Sequence, residues 1–183
     1  LYLHQYFCPP GGSGNNRSFE LAKVWSEMGH EVTIFTSPAY FPSSYHQTEL
    51  VREIEIEGIK VVILNVDYAH EMPFGRRIRS WLKFYRRARK HIWKWTQVDL
   101  IYASSTPLTI GELGRVIQKK KNIPFIFETV DVWPDVPIGM GILKNRLLIK
   151  YLNRRTQRIY EEAAAIVTLS EGMRDQVLSH KVD

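Results

Sequence analysis

The chain has 183 residues, 44% of them hydrophobic and 24% charged, which is ordinary globular usage and excludes a disordered or low-complexity protein. A single cysteine, Cys8, excludes an internal disulfide, and no run approaches the roughly 20 apolar residues of a membrane-spanning helix. The formal charge of +6 points to an anionic partner such as phospholipid, nucleic acid or a phosphorylated substrate.

Residues 1–7 read as a first strand, starting abruptly without an initiator methionine, so that a residue or a few are expected before Leu1. After the turn-rich stretch 8–16, Phe19, Leu21, Ala22, Val24, Trp25 and Met28 recur at helical spacing, and Gly29 stands where a helix commonly stops. A β-branched strand follows over 31–36. Residues 51–66 read as two strands broken at Gly58, and the alternation Glu53-Ile54-Glu55-Ile56-Glu57 marks the first as an exposed edge. The segment 74–95 reads as a helix, 100–103 as a strand, and 107–121 as a helix opened by Pro107. A strand over 123–128 leads into a loop over 129–141, followed by a helix over 144–163, a strand over 166–169 and a helix over 171–178.

This alternation predicts an α/β, Rossmann-like fold with a mainly parallel sheet and helices on both faces. Ligands of such sheets bind beyond the carboxyl ends of the strands. The loops 8–16, 37–45, 104–106 and 129–141, with Ser170, are therefore the places to find a site.

The first of them contains Pro10-Gly11-Gly12-Ser13-Gly14, between the first strand and the first helix. Glycines there let backbone N–H groups approach a phosphate, which also gains from the following helix N-terminus. The competing reading is a tight turn and nothing more. Gly12-Ser13-Gly14-Asn15-Asn16-Arg17 lacks the third glycine of the dinucleotide fingerprint, and the second strand ends in Thr36-Ser37 without a ribose-binding acid. Nicotinamide and flavin cofactors are thereby disfavoured, and the absence of a following GK[ST] excludes a P-loop.

Taken together, Pro9-Pro10-Gly11-Gly12-Ser13-Gly14, Leu21-Ala22 and Gly29-His30-Glu31-Val32-Thr33 resemble the family-4 retaining glycosyltransferases. Asp131-Val132-Trp133-Pro134-Asp135 and Ser170-Glu171-Gly172-Met173 extend the resemblance over essentially the whole chain, the latter towards the branch that builds bacterial cell-surface polysaccharides. The resemblance implies one half of a two-domain GT-B fold: residues 1–183 as the N-terminal, acceptor-side domain, with the C-terminal nucleotide-sugar-binding domain absent. It implies sugar transfer from a nucleotide-sugar donor to a glycan acceptor, no cofactor or metal, and an isolated fragment that is inactive. Gly12, Ser13, Gly14 and Arg17 would face the donor phosphates.

Glu128 and Asp131 are the candidates for proton transfer or for orienting sugar hydroxyls, and Trp133 and Asp135 for acceptor contact. Helix capping and loop hydrogen bonding compete for the acids, and packing for the tryptophan. Relatives place a histidine directly before the aspartate; Val130 stands there, so no histidine carries over. The six histidines and one cysteine show no metal-ligand spacing.

The charge is local. Arg76, Arg77, Arg79, Lys83, Arg86, Arg87, Arg89, Lys90 and Lys94 lie within 74–95 with no acid among them. Ile78, Trp81, Leu82, Tyr85, Ala88 and Ile92 give the same helix an apolar face. Basic amphipathic helices with aromatic ends suit an anionic membrane surface, here with Arg76, Arg77, Trp81, Arg86 and Arg87 in contact. That fits a polyprenyl-diphosphate-linked acceptor and a cytoplasmic location, peripheral on the inner face of the membrane. A solvated surface helix ranks second and a nucleic-acid contact third. The alternative to an enzyme is a membrane- or nucleic-acid-binding Rossmann-like module acting through this helix.

Overall fold

The computed structural model describes residues 1–45, 48–95 and 97–180, so the domain end expected at Asp183 lies outside the described residues. The chain divides into two compact units, Leu1–Val98 and Asp99–Asp183. Both are α/β and Rossmann-like, and within each unit the paired strands run parallel, apart from the antiparallel pair of the third and fourth.

In the first unit β1 (Tyr2–Leu3), β2 (Thr33–Thr36), β3 (Val51–Ile56) and β4 (Ile59–Leu64) lie in the order β3-β4-β2-β1. Tyr2 sits opposite Ile34 and Ile34 opposite Val61. Val61, Val62, Ile63 and Leu64 are all buried, and an apolar run without alternation marks a strand covered on both faces. β3 returns antiparallel through the two-residue turn Glu57-Gly58, whose φ values of 47° and 79° match the twist of a tight hairpin. Its Glu53 and Glu55 are exposed, as the alternation predicts, and charges there discourage edge-to-edge pairing.

β1 is shorter than the strand expected over 1–7. The carbonyl of Gln5 accepts from Ser37 N at 3.1 Å, Ser37 Oγ at 2.7 Å and Thr36 Oγ1 at 3.2 Å. Three donors from the end of β2 thus converge on one oxygen, and the chain turns away at Tyr6. Helices α1 (Arg17–Glu27) and α2 (Phe74–His91) complete the unit. α1 buries Phe19 and Ala22, whereas α2 buries Ser80, Trp81, Phe84 and Ala88.

In the second unit β5 (Ile101–Ser104), β6 (Phe125–Thr129) and β7 (Ala165–Thr168) lie side by side in that order. Helices α3 (Leu108–Lys121), α4 (Asp135–Gly139), α5 (Arg146–Glu162) and α6 (Glu171–Ser179) follow the strands or their loops. Their ends have local causes. Asn122 adopts a left-handed φ of 54° to close α3, the Asn145 side chain accepts from Leu147 N and Leu148 N, and Ser170 accepts from Met173 N. α4 lies inside the segment expected to be loop throughout.

α3 packs tightly on β6. A Cβ on Gly111 would meet the Phe127 ring at 2.5 Å and Ile159 at 2.9 Å, both in the core. α3 and α5 are also joined by ion pairs, Arg115 to Glu162 at 3.2 Å and Arg155 to Glu112 at 2.8 Å, and within α3 Arg115 pairs with Glu112 at 2.7 Å. The hydrogen bond to the neighbouring Glu112 carboxylate raises the Arg115 pKa above its usual value, so the guanidinium stays charged.

Gly111→Ala is expected to cost about 1–3 kcal/mol by overpacking, read from the urea unfolding midpoint. Gly172→Ala, in α6 with open space around the new methyl group, is expected to gain about 0.4–1 kcal/mol. A neutral Gly111→Ala would contradict the packing of α3 on β6.

Candidate substrate-binding site

The glycine loop follows β1 in the first unit. A Cβ on Gly12 would lie 2.6 Å from Cys8 Sγ, and one on Gly14 would lie 2.8 Å from the Tyr40 ring, so both glycines are required by close packing. Their N–H groups turn inwards: Gly12 N donates to Pro9 O at 3.0 Å, Ser13 N to Tyr40 O at 3.1 Å and Gly14 N to Cys8 Sγ at 3.2 Å. The expected cradle of three backbone donors for a phosphate is therefore taken up inside the loop. The N-terminus of α1 is also partly matched, because Glu20 lies in its first turn. Ser13, Gly14 and Arg17 remain exposed on the outer side of the loop.

Tyr40 connects this loop to a set of rings that the sequence did not single out. Tyr6 lies tilted against Tyr68 at 4.5 Å between centroids and meets Tyr40 edge-on at 6.0 Å. Tyr40 Oη and His70 Nε2 share a hydrogen bond of 2.5 Å, and the His70 ring stands 5.6 Å from Tyr68. Arg77 lies over the faces of Tyr68 and Trp81, 5.8 Å from each ring centre. Burial, reinforced by the proximity of Tyr68, pushes the Tyr6 hydroxyl well above the usual tyrosine range and raises that of Tyr40, so both are protonated at neutral pH.

The acids expected to act lie in the second unit, and burial separates them. Glu128 is 0% exposed, with Oε1 accepting from Tyr102 Oη at 2.9 Å. A fully enclosed carboxylate cannot touch a substrate, so its predicted catalytic role gives way to a structural one. Asp135 Oδ2 accepts from Gln176 Nε2 at 2.9 Å and pairs with His180 Nε2 at 3.1 Å, tying α4 to α6. Asp135, predicted to contact the acceptor, is half-buried and holds that tie. Asp131 is different: half-buried at the loop after β6, its Oδ2 accepts from Thr106 Oγ1 at 2.5 Å, with Trp133 half-buried two residues on. Ser105 Oγ holds the turn by accepting from Val130 N at 3.0 Å.

The basic helix α2 divides its charges. Trp81 is only 6% exposed and its indole N–H donates to Tyr6 Oη at 2.6 Å, so it belongs to the interior and not to a membrane contact. Arg77 turns to the rings, and the Arg87 guanidinium donates to the Asn65 carbonyl oxygen; both are half-buried. Arg76, Arg79, Lys83, Arg86, Arg89 and Lys90 are exposed, together with Ile78 at 37% and Leu82 at 40%. The buried seam runs through Trp81, Phe84, Ala88 and Ile92, and the expected apolar face thus splits into an inner stripe and an outer pair. Among the described residues no helix is long and apolar enough to cross a membrane.

Residues 12–183 match the family model described as "Glycosyl transferase 4-like domain". The chain is similar in fold to sucrose-phosphate synthase from Thermosynechococcus elongatus, with a TM-score of 0.63 at 12% identity, covering 100% of this chain and 44% of that one. It therefore spans less than half the length of that relative, and at such identity the likeness is one of fold alone. A mutation variant of SsGBP aligns over 92% of this chain and 62% of its own at 11% identity, but its TM-score of 0.20 carries no argument. No curated protein matches the chain in sequence.

The tie between α4 and α6 rests against Tyr160, whose pKa is pushed up to about 12 by burial, with the nearby Asp135 charge adding to it. A folded-state value above the unfolded one of about 10 contributes stability that is complete below pH 10 and lost as pH rises towards 12. The urea midpoint should fall across that window, and Tyr160→Phe should flatten the fall. An equal slope in both proteins would show that Tyr160 is not the titrating group.

Proposed function

The chain belongs to the glycosyl transferase 4-like family, and we propose that it forms the acceptor-side half of a retaining, two-domain GT-B transferase. That enzyme would move a sugar from a nucleotide-sugar donor to a phosphate-linked glycan held at an anionic membrane surface. The observation that carries the reading is the family match over residues 12–183, which spans the loops after β2, β5, β6 and β7.

Asp131 is the residue of the second unit best placed to act, since it alone of the three predicted acids is accessible without being tied to another helix. Its carboxylate would accept a hydrogen bond from an acceptor hydroxyl and orient the oxygen that attacks the donor sugar. In a retaining transfer the departing diphosphate takes the proton of that hydroxyl, so the reaction needs neither a metal nor a histidine at Val130. The donor phosphates would meet the loop through the Ser13 hydroxyl and the Arg17 guanidinium, side-chain contacts that leave the inward N–H groups undisturbed. Trp133 would border the acceptor.

The outer face of α2 supports placement at the cytoplasmic surface of a membrane. Its exposed cations surround Ile78 and Leu82, which gives apolar insertion together with attraction to anionic headgroups. Six exposed cations in that helix exceed what an apolar contact alone requires.

With the second domain joined, Asp131→Asn is expected to lower kcat by about 10²-fold in a sugar-transfer assay, with the unfolding midpoint little changed. A variant with full activity would remove Asp131 from the reaction, and the isolated chain is expected to transfer no sugar. In co-sedimentation with vesicles, the chain should pellet with anionic lipid and stay in solution with neutral lipid. Arg79→Gln combined with Arg86→Gln should weaken anionic binding by about 30-fold, at about 1 kcal/mol per charge. Equal pelleting with both lipids would sink the electrostatic contact.

A further inference from the structure

The transferase reading assigns nothing to the ring cluster of the first unit, although its position is that of a ligand site. Tyr6 follows β1, Tyr40 follows β2, Tyr68 follows β4, and Arg77 stands in the first turn of α2. The carboxyl ends of three parallel strands thus deliver aromatic side chains to one edge, where open α/β sheets bind their ligands. Tyr40, Tyr68 and Arg77 are half-buried and His70 is exposed, so the cluster is reachable from solvent.

Arg77 is the unusual member. Its Nε is buried without a hydrogen-bond partner, and among the described residues it makes no ion pair. A half-buried guanidinium held between ring faces, with its charge uncompensated, is a site for a planar or tetrahedral anion that accepts a fork of N–H groups. Ring faces beside it suit the apolar face of a sugar, and the Tyr40 and His70 polar atoms suit its hydroxyls. Tyr40 also packs on Gly14, which places the cluster next to the loop assigned to the donor phosphates.

We propose that Arg77, with Tyr40, Tyr68 and His70, forms the acceptor subsite, the guanidinium gripping the phosphate of a phosphate-linked sugar and the rings covering the sugar. The word acceptor rests on the transferase reading; the binding site does not. A phosphate-linked sugar reaches such an enzyme from two sources, a prenyl-linked acceptor or a nucleotide-sugar donor, and the subsite selects the first.

The test is titration calorimetry on the chain with three probes: farnesyl-diphosphate-linked N-acetylglucosamine, UDP-N-acetylglucosamine and inorganic pyrophosphate. The prenyl-linked sugar is expected to bind tightest. Arg77→Gln should weaken it and pyrophosphate by about tenfold or more. His70→Ala, at an exposed position that leaves the fold intact, should weaken the sugar several-fold and leave pyrophosphate unchanged, while Arg158→Gln should change neither. Binding unaltered in folded Arg77→Gln, or His70→Ala without effect on the sugar, would overturn the subsite. Tighter binding of the UDP-sugar, lost in Arg77→Gln, would reassign it to the donor and overturn the proposal. If the prenyl-linked sugar binds through Arg77 but the two-domain enzyme transfers nothing, the transferase reading fails and the subsite stands. Transfer with an acceptor KM unchanged by Arg77→Gln would have the opposite meaning.

Discussion

The first unit is organised by the parallel run of β1, β2 and β4, because strands that share a direction must release their following loops at the same edge. The Gln5 carbonyl enforces that release. By taking three donors from Thr36 and Ser37 it stops β1 two residues after Leu3 and pins the start of the loop after β2 beside it. Tyr6 and Tyr40 are brought together by that one clamp, and Tyr68 joins them because β4 lies directly beside β2. A substitution that freed Gln5 from Ser37 would therefore disturb the glycine loop as well, since the Tyr40 carbonyl holds Ser13.

Much of the architecture was legible because apolar periodicity and turn chemistry are local. The edge character of β3 followed from alternate glutamates, the start of α3 from Pro107, and the end of α1 from Gly29. What escaped depended on register. Tyr6, Tyr40, Tyr68 and Arg77 are tens of residues apart, and nothing in their spacing announces a cluster until the strands are paired. α2 was misread in part for a related reason. Ile78 and Leu82 share helical spacing with Trp81, yet only the side turned to the strands is buried, and Phe84 supplies the missing member of that seam.

The site residues show the same division between residue type and surroundings. Three acids close in sequence, Glu128, Asp131 and Asp135, looked alike as candidates. One is enclosed with Tyr102, one holds α6, and one stays accessible beside Thr106. The glycines were singled out as places where backbone could approach a phosphate, but the close approach that Gly12 and Gly14 permit is to Cys8 and Tyr40. A glycine-rich loop after a first strand thus reports tight backbone packing, and its ligand chemistry has to come from the side chains it positions.

α2 joins two tasks through the pitch of a helix. Arg76 and Arg77 are adjacent in sequence, about 100° apart around the axis, so one faces solvent while the other enters the rings. The same step separates Arg86 from Arg87, which reaches the carbonyl just beyond β4. Arg87 therefore fixes the helix to the strand while its neighbour remains free to meet an anionic surface. Clustering nine cations in 74–95 creates a field that would repel itself. Turning some inwards onto ring faces and a carbonyl relieves part of that repulsion, and an anion bound at Arg77 would relieve more.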